Sequence, residues 1–126
     1  MARPVSGTHR RVDRIKAPAG TTVRLLVDER ARESRATLLE LGMSDLLLSD
    51  IEALPLGTKL TVGITVPGRY LEFEIPGMLS WHLNGEFGVS FDYLTARQTY
   101  GLLLAIDLMS RAAEEDAQTP AHTARR

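Results

Sequence analysis

The stretch THRRVDRIKAP, Thr8 to Pro18, carries four cationic side chains, Arg10, Arg11, Arg14 and Lys16, within seven residues. Arg10 and Arg14 are four apart, so they share a side whether the segment is extended or helical. Two guanidinium forks on one side suit a ligand with two phosphates. Each fork can grip a phosphate, or the O6 and N7 edge of a guanine, bidentately, and can stack on a base, which lysine does less well. The competing reading is a solvated charge run, because short motifs often match without function.

Other chemistry is poorly represented. His9, His82 and His122 fall in one tail, beside Trp81 on a strand, and in the other tail, so no two have metal-ligand or acid–base spacing. No serine sits in a nucleophile elbow, and GITVPG, 63–68, has the wrong periodicity for a phosphate-binding loop. The chain has no cysteine, which excludes disulfides, thiolate nucleophiles and cysteine-ligated metal. These residues speak against an enzyme and call for no metal or organic cofactor.

With 126 residues, 44% hydrophobic and 25% charged, the chain fits one globular domain. A formal net charge of −1 argues against a general binder of nucleic acid polymers, so any basic site is local. No apolar run approaches the roughly 18 residues of a membrane span. The basic N-terminus is not followed by a signal-peptide core. The expectation is a cytoplasmic protein with no membrane insertion.

The elements that must position the arginines follow from periodicity. Residues 1–9 and 114–126 are polar without an apolar period and read as flexible tails around a domain spanning 10–113. TTVRLLVD, 21–28, is rich in β-branched residues and reads as a strand after the breakers Pro18 and Gly20. DERARESRATLLELG, 28–42, is open: its Glu, Arg, Ala and Leu content leans to a helix ending at Gly42, whereas its place between strands allows a charged hairpin loop and a strand at ATLLEL. From Lys59, Leu60, Val62, Ile64 and Val66 alternate with polar or small residues as a half-buried strand closed by Pro67 and Gly68. Leu71, Phe73 and Ile75 repeat the device and continue through Leu79 and Trp81, with Pro76 and Gly77 marking an edge or a bulge. Trp81 itself reads as barrel core or rim. Asn84 to Glu86 is a hairpin turn leading into the strand FGVSF. Ala96 to about Ala113 is a Leu- and Ala-rich helix, with Thr95 as cap and Asp107–Arg111 as an i,i+4 pair.

Together RRVDR at Arg10–Arg14, Gly57, Trp81, GVSF at Gly88–Phe91, Leu94 and the terminal helix resemble a PilZ domain over Arg10 to Ala113. The resemblance implies a mainly β fold: a small six-stranded antiparallel β-barrel of split-barrel type with a C-terminal α-helix. It also implies a hairpin and strand at 28–42, and a non-catalytic receptor for the bacterial second messenger cyclic di-GMP. By the same resemblance Arg10 and Arg14 clamp the ligand, Arg11 adds a contact, and the N-terminal arm folds over it.

The second motif of that family is Asp or Asn, any residue, Ser, two residues, then Gly. Holding Leu46 and Leu48 in register places Glu40, Gly42 and Asp45 at its three positions. Glu40 keeps a carboxylate, Gly42 lacks the hydroxyl, and Asp45 adds a negative charge. A lost hydrogen bond of about 0.5–1.5 kcal/mol and a carboxylate near phosphates predict roughly a 10–100-fold loss of affinity. Two functions follow: a weakened cyclic di-GMP receptor that signals to a protein partner, or a nucleotide-independent interaction adaptor. For the adaptor, the helix carries Leu102, Leu103, Leu104, Ile106, Leu108 and Met109, too many for one buried face, so a protein partner or homodimer through the helix is expected. The plainer alternative buries most of them in the barrel mouth.

Overall fold

The computed structural model describes residues 14–27, 32–65 and 72–123. Among these lie seven strands and one helix: β1 (Arg14–Lys16), β2 (Thr22–Val27), β3 (Arg32–Gly42), β4 (Asp45–Ser49), β5 (Lys59–Thr65), β6 (Glu72–Leu83), β7 (Glu86–Phe91) and α1 (Ala96–Thr123). All pairings are antiparallel. Neighbours run β3-β2-β5-β6-β7-β4, and a further β3–β4 pairing closes the ring into a six-stranded barrel. Closure leaves no free edge among the six. The remaining strand, β1, lies along the end of β3 that β2 leaves uncovered.

Alternation builds the interior. Leu60, Val62 and Ile64 of β5, Ile75 and Leu79 of β6, and Leu46 and Leu48 of β4 are fully buried in one core. Val66 and Leu71, expected to continue these stripes, lie outside the described residues. The β6–β7 hairpin turns at Asn84 (φ 54°) and Gly85 (φ 80°), between the paired Leu83 and Glu86. Two successive positive φ values are the geometry of a tight two-residue hairpin loop, and Asn-Gly tolerates them best.

Residues 32–42 form the strand that the family resemblance implies and not the helix to which their composition leans, because pairing with β2 on one edge and β4 on the other outweighs a preference of a few tenths of a kcal/mol per residue. Pro76 is not in a bulge but lies at a local edge, one of the two places expected of it: it pairs with Thr61 of β5, and on its other side, beyond the last β6–β7 pair at Gly77–Phe91, its carbonyl accepts from the Asp92 amide at 2.9 Å. Because a strand residue's N–H and C=O face the same neighbour, the N–H that proline lacks points past Phe91, where β7 has ended. The bulge comes later, between Leu79 and Trp81. α1 runs on to Thr123, into the residues read from their polar composition as a tail; Ala, Glu and Gln extend a nucleated helix readily.

The helix starts where expected. Thr95 Oγ1 accepts from the Gln98 amide (3.1 Å) and Gln98 Oε1 accepts from the Thr95 amide (2.8 Å), a reciprocal cap that satisfies both donors. Gly101 sits against Phe73 of β6, where an added Cβ would lie 3.1 Å from the ring. Leu102, Ala105 and Met109 are fully buried and complete the barrel core. Burying Leu102 and Met109 contributes about 1.5–3 kcal/mol each. Asp107 and Arg111 form the expected i,i+4 ion pair at 3.2 Å.

On the outer wall a charged rung ties β3, β2 and β6 together. Arg24 of β2 donates to Glu72 (2.6 and 3.2 Å), to Glu74 (2.8 Å) and to Glu33. Its reach across β5 depends on Gly63, where a Cβ would stand 3.1 Å from both Arg24 Nη2 and Glu72 Oε2.

Candidate functional site

β1 and the β3–β4 hairpin bring the family-motif positions together. The register pairs Arg14 with Gly42, Ile15 with Leu41 and Lys16 with Glu40. Ile15 packs on the core beside the fully buried Leu41, which turns Arg14 and Lys16 to the outer face. On β3 a bulge falls between Leu38 and Glu40. The extra residue resets the alternation, so Leu38 and Leu41 both point inward while Glu40 turns out beside Lys16. Leu41 pairs with Leu46, leaving Gly42 and Asp45 as the shoulders of a short hairpin. Leu46 and Leu48 face the core, as the register of the second motif requires.

Arg14 therefore has Glu40 and Asp45 as neighbours. Its Nε lies 3.5 Å from Glu40 Oε1 and 3.8 Å from Asp45 Oδ1, and its side chain is only 6% exposed. These are charge contacts, longer than ordinary hydrogen bonds. Arg14 Nε and Nη1 are buried without a hydrogen-bond partner among the described residues. A buried guanidinium with two undirected donors is unusual, since buried polar groups are nearly always paired. It is ready to donate to an acceptor of suitable shape, and two carboxylates offset its charge.

The hairpin continues into the neighbouring strands. Asp45 pairs with Ser90 of β7, whose hydroxyl is 2.5 Å from that of Ser80. Phe91 donates its amide to the Ser44 carbonyl at 2.9 Å. A groove of about 490 Å³ runs between the β1–β2 connection, Ala17 to Gly20, and β3, with Lys16, Glu40, Leu47 and Glu86 in its lining. Arg10 and Arg11 lie outside the described residues, so of the six expected site residues Arg14, Glu40, Gly42 and Asp45 are located, all at this hairpin.

Two features are not foreseen from sequence. Lys16 is the cross-strand neighbour of Glu40, a relation that only the register reveals. Trp81, expected in the barrel core or rim, lies on the outer face over Gly88: a Cβ at Gly88 would be 2.7 Å from Trp81 Cδ1. His82 stacks on Phe87 at 4.3 Å, a packing role. Among the described residues no cluster of His, Asp and Glu could hold a metal, and no helix is long and apolar enough to cross a membrane.

Comparison with family models finds no match, and neither does comparison with curated proteins. Solved structures do match. The PilZ domain of YcgR from Escherichia coli, solved with c-di-GMP, superposes with a TM-score of 0.67 at 16% identity, covering 82% of this chain and 93% of that one. The Bacillus subtilis inhibitor of motility MotI/DgrA gives 0.59 at 14% identity, over 82% of this chain and 50% of that one. The PilZ domain of CeSA from a cellulose-synthesizing bacterium gives 0.58 at 17% identity, over 74% and 93%. The closed six-stranded barrel, the outer strand and the terminal helix are thus those of a PilZ domain, and that is the fold of this chain.

Proposed function

We propose that this PilZ-fold chain is a non-catalytic receptor for cyclic di-GMP, of reduced affinity, that passes the signal to a protein partner. The observation that carries the reading is Arg14: a buried guanidinium with two undirected donors, set across the ladder from Gly42 and between the positions of the second motif. YcgR, which shares the fold, is solved with this nucleotide. In this reading Arg14 donates to phosphate or guanine acceptors, Arg10 and Arg11 add contacts from the preceding segment, and Glu40 accepts from guanine N–H groups. In this reading ligand binding alters the surface offered to the partner.

A second reading, a nucleotide-independent adaptor, draws on Asp45. Its carboxylate stands 3.8 Å from Arg14 Nε, where it competes with a phosphate for the same guanidinium. Calorimetric titration with cyclic di-GMP, with GTP and linear pGpG as controls, decides between the two. Weak saturable binding of the cyclic dinucleotide alone supports the receptor. Absence of heat at any attainable concentration supports the adaptor, and turnover of the nucleotide would contradict both.

A further inference from the structure

Helix α1 has two apolar faces. Leu102, Ala105 and Met109 fill the barrel mouth. At about 100° per residue, Tyr100 and Leu104 lie well around the helix from them, and Leu103 borders the same outer stripe. Tyr100 is 67% and Leu103 53% exposed, while Leu104 is half-buried. Tyr100 and Leu103 are three residues apart and so are neighbours on the helix surface.

The charges around it identify the partner. Arg97, Tyr100, Leu104 and Asp107 are spaced three, four and three residues apart, the seam of a coiled coil, with Arg97 and Asp107 exposed at its ends. Inverting the helix about the level of Leu102 exchanges Arg97 with Asp107 and Tyr100 with Leu104, and brings Leu103 close to its own image. We propose that this face pairs with the same face of a second copy, helices antiparallel about a two-fold axis. Tyr100 packs on Leu104 of the other copy, Leu103 on Leu103, and Arg97 pairs with Asp107 at both ends. Asp107, already 3.2 Å from Arg111 of its own helix, then bridges two arginines. A parallel pair would set Arg97 against Arg97 and Asp107 against Asp107. The charge pattern is self-complementary only in the isologous, antiparallel arrangement. With the buried face turned to its own barrel, each barrel projects away from the seam.

Analytical ultracentrifugation of the full chain tests this without nucleotide, so the outcome is independent of the Arg14 site. The expected result is a concentration-dependent dimer. Leu103→Glu abolishes it, with the circular dichroism spectrum confirming that the barrel is intact. Arg97→Glu and Asp107→Lys each put like charges at both ends and weaken the dimer roughly tenfold. Mixing those two variants restores it as a heterodimer, because every end pair is then of opposite sign. A monomer at all concentrations would overturn self-pairing and assign the face to a different protein. A dimer indifferent to Leu103→Glu, or a mixture that fails to re-associate, would place the interface elsewhere.

Discussion

Arg14 stands directly across the β1–β3 ladder from Gly42, and Asp45, on the other shoulder of the hairpin, comes within 3.8 Å of its Nε. The chain itself thus sets two carboxylates against this one guanidinium, while two of its donors remain undirected. Replacing Arg14 by Ala should weaken cyclic di-GMP binding by about 1.5–3 kcal/mol, roughly 10–150-fold, as expected for charge-assisted bidentate contacts. Lys should recover only part of this, since the charge returns without the planar fork. Calorimetry on the two variants checks it; binding that ignores the change would put the ligand elsewhere.

The shoulders can be restored. Gly42→Ser with Asp45→Gly returns the hydroxyl of the family motif and removes the carboxylate that competes for Arg14. Nucleotide affinity should rise by roughly one to two powers of ten. The two positions flank one hairpin and share one arginine, so their effects need not add. Undetectable binding after repair, with weakened capture of a protein partner, would favour the adaptor.

Much of the barrel is legible in the sequence because one-sided burial leaves a period of two: alternation alone turns Leu60, Val62 and Ile64 inward. The Asn84–Gly85 turn is legible because few other residue pairs take positive φ twice. β3 is not, since Glu, Arg, Ala and Leu prefer helix and only the pairing of both its edges makes a strand of them. The Leu38/Glu40 bulge leaves no mark in composition, yet it turns Glu40 to the outer face. Spacing alone singles out Arg10 and Arg14, whereas Glu40, Gly42 and Asp45 can be named only through family resemblance, and nothing in RRVDR signals that Arg14 is buried. Burial there arises from long-range pairing with the hairpin, which local sequence does not encode.

Gly88 offers a test of the outer wall. A Cβ there would meet the Trp81 ring at 2.7 Å or closer, so Gly88→Ala must displace the indole or the β6–β7 ladder. Forcing volume into a packed contact of this kind costs about 1–3 kcal/mol. A urea titration followed by fluorescence of the single tryptophan should show a lower midpoint and a shifted native emission maximum. An unchanged spectrum and midpoint would mean that the indole does not rest on Gly88.

The Arg24 rung should be visible in acid. Hydrogen bonds from Arg24 hold the Glu72 carboxyl below its ordinary value of 4.5, with desolvation opposing them and the adjoining Arg24 charge adding a smaller pull in the same direction. A carboxyl depressed in the folded state adds stability that is fully present above its unfolded value and is lost as pH falls through the folded one. Arg24→Ala should therefore be less stable than the parent above about pH 4.5, and the gap should close as the pH drops further below it. Because the Glu72 side chain is 36% exposed, solvent and salt screen the interaction, so the effect should be modest and shrink in high salt. Urea midpoints measured across this range for both proteins check it. A gap that stays constant into acid would show that Arg24 contributes through packing across Gly63 and not through its charge.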